Sequence, residues 1–363
     1  MALSQLNIDH VRNLDQVRLV GLERVNVFYG RNGSGKTSIL EAIHLLGMAR
    51  SFRGNSVKSL ISHGEPSCTV YGLTDQPLGV QRTRAGEALI KVGGAVVRTA
   101  AELAEQLPLQ VITAESFGLL TGAPGARRQF LDWGVFHVEQ RFFGQWQRFQ
   151  RCIKQRNNLL RRDTIDSQEL AVWTRDLATT GSAINGFRLA YFQEIAPRFR
   201  EIMAELAPSL GGLQLHFRQG WDKQLSYLQA LEQGLQGDTE QGYTHSGPQR
   251  ADIRVTVDGH LAADTLSRGQ QKLVVCGLKL AQGQMMSNRG RCTYLIDDLP
   301  SELDRHHSKL VCAMLASMDA QVFITCVDKN EIRAVWPDAN SLAVFHVEHG
   351  AVSPVENMQS VNE

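Results

Sequence analysis

Apolar and polar positions change their rhythm twice along the chain. Near the start they fall in short alternating or apolar runs, RVNVFYG (24–30), SCTVYGL (67–73), GVQRTR (79–84), ALIKVGG (88–94) and LQVIT (109–113), and each run predicts a strand. From about Ala123 to Leu235 the period lengthens to that of helices, with LQLHF (213–217) the main strand-like exception. Alternation returns at DIRVTVDG (252–259), where Ile253, Val255 and Val257 share a face. Helices and strands then take turns: a helix over about 267–288, CTYLID (292–297), a helix over about 302–318, QVFIT (321–325) and LAVFHV (342–347). This alternation predicts a wound α/β sheet, with the early short strands as an antiparallel β subdomain. The chain ends, residues 1–122 and 236–363, form one α/β lobe, and residues 123–235 form an inserted helical lobe. The helical insert shows no sustained heptads, so a long coiled coil is not expected.

One strand-to-helix junction carries explicit chemistry. GRNGSGKT, formed by Gly30, Arg31, Asn32, Gly33, Ser34, Gly35, Lys36 and Thr37, fits the phosphate-loop pattern between the strand 24–30 and the helical TSILEAIHLLG. Its glycines let backbone amides close on phosphate oxygens, and the helix N-terminus adds a favourable dipole. Lys36 would reach the β- and γ-phosphates, and Thr37 would ligate Mg²⁺. Far downstream, YLIDD (294–298) is an apolar strand ending in two acids, which at the carboxyl end of a parallel sheet face the ligand crevice. Asp297 is placed to hold Mg²⁺, and Asp298 to orient or deprotonate an attacking water. The cofactors expected are therefore ATP and Mg²⁺.

Composition narrows the classes. The 363 residues are 43% hydrophobic and 21% charged, enough for a core and ordinary for a globular chain. No run approaches the length of a membrane span, and the first residues lack a signal-peptide core, so a cytoplasmic protein with no membrane partner is expected. Six scattered cysteines form no CxxC pair and predict neither a zinc site nor a disulfide framework. The net charge of +1 announces no nucleic-acid partner, so any such surface is local.

A second anion-binding pattern, LSRGQQKL (266–273), opens the helix before YLIDD, and SELD (301–304) follows it. Phosphate loop, signature, acidic strand and SELD come in the order of ABC-type ATPase heads. In such heads the signature meets ATP bound to a second copy, so an ATP-closed homodimer is expected. Ser267, Arg268, Gly269 and Gln270 would supply its donors, with Lys36, Asp298 and Ser267 forming the catalytic set. Taken alone, a Ser-capped helix explains the same letters.

Several stretches together resemble the RecF family of ABC-type DNA-repair ATPases, related to the heads of SMC proteins. They are GRNGSGKTSILEAIHLL with RSFR (50–53), ESFGLLTGAPGARRQFLDW (115–133), HSGPQRAD (245–252), LSRGQQKL and LIDDLPSELD, spanning about residues 4–330. Arg268, where transporter ATPases carry Gly, and the second acid being Asp rather than Glu are both typical of that family. The resemblance implies an ABC-type head with an inserted helical lobe. It also implies binding to single-stranded and gapped or junction DNA, and recombinase loading with RecR- and RecO-type partners. The shorter Asp298 suits slow hydrolysis of the timer kind, and the resemblance implies a DNA-stimulated ATPase. Three departures stand out: Val11 where Phe is common, Gln249 where His is commoner, and Thr325 and Cys326 where ABC heads often have a switch His. A Q-loop residue is unassigned between Gln110 and Glu115.

The basic surface is concentrated. Residues 124–162 hold nine Lys and Arg against two acids. At helical spacing Phe142, Trp146, Phe149, Ile153 and Leu160 share one face, leaving Arg141, Arg148, Arg151, Lys154, Arg161 and Arg162 free to meet a phosphate backbone. Among these six only Arg162 has an acid four residues away, Asp166. Arg50 and Arg53 are further DNA candidates. The rival readings are an ATPase subunit of another ABC-type assembly, transporter-like or an SMC-like structural head, a nuclease fused to an ABC head, and a metabolic kinase. Arg268 and the basic face oppose a transporter, the absence of a carboxylate-rich metal domain opposes a nuclease, and a kinase needs no LSRGQQKL.

Overall fold

A computed structural model describes residues 2–54, 56–286 and 291–355. The chain forms two compact units, residues 1–116 with 272–363, and residues 117–271. The boundaries expected at 122/123 and 235/236 thus stand at 116/117 and 271/272. Residues 236–271 join the inserted unit because their strand and loops complete its core.

In chain order the strands are β1 (Gln5–Val11), β2 (Leu14–Val20), β3 (Val25–Tyr29), β4 (Ser67–Leu73), β5 (Pro77–Thr83), β6 (Ala88–Val92), β7 (Ala95–Val97) and β8 (Leu109–Ile112), then β9 (Leu213–Arg218), β10 (Asp252–Val257) and β11 (His260–Leu261), then β12 (Cys292–Ile296), β13 (Ala320–Cys326), β14 (Leu342–Glu348) and β15 (Ala351–Val355). In the first unit, among the described residues, one sheet has the order β2-β1-β4-β5-β6-β7 and is antiparallel throughout. A second has the order β15-β14-β3-β13-β12-β8 and is parallel except for β15.

The helix Lys36–Met48 packs against strands of both sheets, and Ile39, Leu40, Ile43, Leu45 and Leu46 are buried completely. Its apolar residues occupy more than one face, as a helix covered on both sides requires. Every residue of strands β12 and β13 is buried, as in a parallel strand covered on both faces. All six cysteines are buried free thiols. Val11 is fully buried, as a core substitution should be.

The second unit is built on the helices Pro124–Val138, Phe142–Leu160 and Ser167–Leu206 with the small sheet β11-β10-β9. Asp166 caps the long helix by accepting from the amides of Gln168 (2.8 Å) and Glu169 (3.1 Å). The two sequence blocks GARRQFLDW and HSGPQRAD are partners here. Arg127 holds Asp252 at 2.6 Å, Arg128 donates to the Ala251 carbonyl at 3.0 Å, and Asp132 holds Arg188 at 2.7 Å. Arg188 also donates to the Pro248 carbonyl at 2.7 Å.

Candidate ATPase site and basic face

The phosphate loop follows β3 because the sheet ends there and the chain must turn sharply into the helix. Two glycines have no substitute. A β-carbon at Gly30 would lie 2.1 Å from the Val347 carbonyl oxygen, and one at Gly35, with φ 119°, would lie 2.9 Å from Leu14. Asn13, in the turn between β1 and β2, steadies the loop by donating to the Gly33 carbonyl at 3.2 Å and accepting from Ser38 at 2.7 Å. The Lys36 ammonium donates to the carbonyls of Gly30 (2.6 Å) and Arg31 (3.0 Å), so its reach is back over the loop.

Sheet order brings the distant acids to the same edge. β13 lies between β3 and β12, and the Thr37 hydroxyl stands 3.0 Å from each oxygen of Asp297, across 260 residues of sequence. Thr325, at the end of β13, donates to Asp297 Oδ1 at 2.6 Å and accepts from the Asp298 amide at 2.8 Å. A hydroxyl and a carboxylate converging in this way are hard oxygen donors of the kind Mg²⁺ prefers. These residues border a cavity of about 710 Å³, within the usual size of small-ligand sites. Five of its lining residues are cations, Arg12, Lys36, Arg53, Lys58 and Arg84, against the two carboxylates Asp297 and Asp298. That excess of positive charge suits a polyphosphate. Arg53, expected on DNA, therefore stands on this cavity, and Arg50 is exposed nearby with its carbonyl bonded to His44 at 2.7 Å.

Arg12, Lys58 and Arg84 escape the sequence reading, because none belongs to a pattern, and Thr325 enters it only as the residue standing where ABC heads often have a switch His. Arg12 is fixed by a bidentate pair to fully buried Glu41 (2.8 and 2.7 Å), which also accepts from Ser51. The Glu41 hydrogen bond raises the Arg12 pKa above its ordinary value. Gln110 is buried within β8 and donates to Gln282 at 2.8 Å, whereas Glu115 is exposed on the turn after β8 and accepts from Thr113 at 2.9 Å.

The signature lies in the second unit as far as Gln271. Ser267 caps the helix Arg268–Gln284: its amide donates to Gln270 Oε1 at 2.9 Å, and its hydroxyl accepts from the Gln270 amide at 3.4 Å. Ser267, Arg268 and Gly269 are exposed.

The basic face needs correction. Arg148 pairs with Asp176 of the neighbouring helix at 3.1 Å, Arg141 with Glu139 at 2.8 Å, and Arg161 donates to the Gly242 carbonyl at 3.1 Å. Arg162 pairs with Glu169 at 3.4 Å rather than with Asp166, which is committed to its cap. Neighbours four residues away on one helix could not reveal acids supplied by the adjacent one. Of the six, Arg151 and Lys154 are exposed and make no ion pair among the described residues. Arg156, two turns from Phe149 and so on its face, is completely buried and holds Asp238 at 2.7 Å and Thr244 at 2.6 Å. That seven-residue spacing was the signal for its burial.

A sequence profile described as the RecF/RecN/SMC N-terminal domain matches residues 2–353. A protein named DNA replication and repair protein RecF from Stutzerimonas stutzeri is 49% identical, covering 99% of this chain and 100% of its own. One of the same name from Pseudomonas syringae pv. syringae is 50% identical over 97% of this chain and 98% of its own.

The chain belongs to the RecF family.

A solved RecF structure with ATP, described as the recombination mediator of the RecFOR pathway, superposes with a TM-score of 0.85 at 25% identity, covering 98% of this chain and 97% of that one. An SMC head from Pyrococcus furiosus, solved with a ScpA domain, is 14% identical with a TM-score of 0.57 and shares the fold. The ABC-type head expected from the sequence is thus the fold of this RecF relative. No helix among the described residues is long and apolar enough to cross a membrane.

Proposed function

We propose that this RecF-family protein is an ATP-driven DNA-binding mediator of recombinational repair. In this reading ATP binds at Gly30–Thr37, two copies close around it, and slow, DNA-stimulated hydrolysis times their release. The observation that carries the reading is the approach of the Thr37 hydroxyl to both oxygens of Asp297 at 3.0 Å, joining the phosphate loop to the acidic strand. Thr37 and Asp297 would hold Mg²⁺, which when bound neutralises phosphate charge. Lys36 binds the phosphates, and Asp298 orients the attacking water. Ser267, with the exposed first turn of its helix, serves ATP held by the partner copy. DNA meets Arg151 and Lys154 first. The solvent-exposed pairs of Arg141, Arg148 and Arg162 are weak in water and readily exchanged for phosphate. The reading extends to single-stranded and gapped duplex DNA and RecO- and RecR-type mediators as partners and to a cytoplasmic location, and membership of the RecF family supports it.

The test is complementation in trans. Ser267→Arg should bind ATP with its own intact loop yet neither dimerise nor hydrolyse, and Lys36→Ala should fail for want of bound ATP. Mixing the two joins one intact loop to one intact signature and should restore part of the turnover. An Ser267→Arg protein that dimerises normally with ATP would overturn the trans role and leave LSRGQQKL an ordinary capped helix.

A further inference from the structure

The end of β13 occupies the one place in the sheet flanked by both nucleotide-site strands, β3 on one side and β12 on the other. There ABC heads often place His, and this chain has Thr325, fully buried. Its single hydroxyl is shared between two consecutive acids. An amide can only donate, so the 2.8 Å contact with the Asp298 N–H takes a lone pair of the Thr325 oxygen. The hydroxyl proton is then free for Asp297 Oδ1, 2.6 Å away. Asp297 is the carboxylate that meets Thr37. Asp298 stands at φ 51° and ψ 50°, the left-handed region that residues with a β-carbon seldom adopt, and it begins the short helix Leu299–Glu302. The Asp298 side chain makes no cap hydrogen bond to that helix, and the backbone turn fixes the direction of its Cα–Cβ bond.

We propose that Thr325 is a positioning residue for hydrolysis. One neutral hydroxyl orients the Asp297 carboxylate and holds the turn that aims Asp298, so the metal-binding acid and the water-orienting acid are set together. The inference rests on the ATPase reading above and deepens it by assigning the position left without a switch His.

Two substitutions separate hydroxyl from bulk. Thr325→Val keeps the volume and removes the hydroxyl, and Thr325→Ser does the reverse. The Val variant should lose about tenfold or more in kcat, with the Kd for ATP changed less than about threefold, while Ser stays within about threefold of the parent in both. A second readout needs no turnover: the Mg²⁺ concentration for half-maximal binding of a fluorescent ATP analogue should rise about threefold or more in Val and not in Ser. If Thr325 only fills space the order reverses, with Val like the parent and Ser impaired, and the proposal is overturned. It is equally overturned if the Mg²⁺ midpoint does not move in Val. Thr325→Ala serves as the second hydroxyl-free variant, held to the same outcomes, should Val not fold. A parent protein that bound no ATP would instead refute the function proposed above.

Discussion

His44 sits on the helix that follows the phosphate loop, its Nδ1 2.7 Å from the Arg50 carbonyl and its ring edge-on to Phe52 at 5.4 Å between centroids. A carbonyl only accepts, so Nδ1 carries the proton of a neutral ring. Burial pushes its pKa from 6.5 down to about 4, against the opposing pull of that hydrogen bond. The unfolded chain takes up a proton as pH falls through 6.5, and the folded chain resists until about 4, so stability is lost progressively across that window. His44→Gln retains an N–H for the Arg50 carbonyl and does not titrate. Melting temperatures measured from pH 7 to 4 should fall less steeply in it than in the parent. Parallel slopes would mean that His44 is not the group responsible. His137, which burial lowers to about 3, adds to the slope in both proteins, so the difference between them is the measurement. At this scale the sequence made Lys36, Thr37 and Asp297 visible, because their chemistry fixes residue types at fixed spacing. Arg12 was invisible, and Thr325 stood out only for not being His, because an ordinary Arg or Thr acquires its partners only when strands close.

Among the elements, the helix Phe142–Leu160 shows what spacing decides and what it does not. Its apolar face was legible, and Phe142, Phe149 and Leu160 are buried. The opposite face was legible as basic but not as paired, since Asp176 belongs to the next helix. Reversing charge at Arg151 and Lys154 together should weaken DNA binding about equally across sequences and lower the salt slope by about two. Reversal at Arg141 and Arg148, whose charges are already shared with acids, should do less. Titrations at several salt concentrations decide between them, and equal effects would show that the ion pairs do not matter to DNA. Arg156 belongs to a different problem. Its partner Asp238 also accepts from the backbone amide (2.9 Å) and ring (2.8 Å) of His245, so one buried carboxylate ties two helices to the loop before Pro248. Asp238→Ala leaves a guanidinium buried without its acid, and should cost the second unit about 3–5 kcal/mol. Four of the five tryptophans, Trp133, Trp146, Trp173 and Trp221, lie in that unit and Trp336 in the other, so tryptophan fluorescence during urea unfolding reports mainly the second unit. A loss under about 1 kcal/mol would show that the pair is dispensable.

Across the whole molecule, strand identity was readable and strand neighbourhood was not. SCTVYGL is β4 residue for residue, yet no pattern in the sequence says that β3 lies between β13 and β14. The second unit was likewise read as ending too early, because β10 and its loops complete a core begun by residues far upstream. That same topology governs the protein's birth. Val25 pairs with Val322 on one side and Leu342 on the other. A ribosome adding 5–20 residues each second needs about 15–60 s to deliver Val322 after Val25 has emerged. Through that interval β3 has neither sheet neighbour, and its apolar residues lie open to chaperones and to wrong partners. Arrested nascent chains released before residue 320 should therefore expose β3 to protease and fail to retain ATP on a filter, whereas chains extended past residue 348 should do neither. The last strands made complete the site whose loop was among the first segments to leave the tunnel.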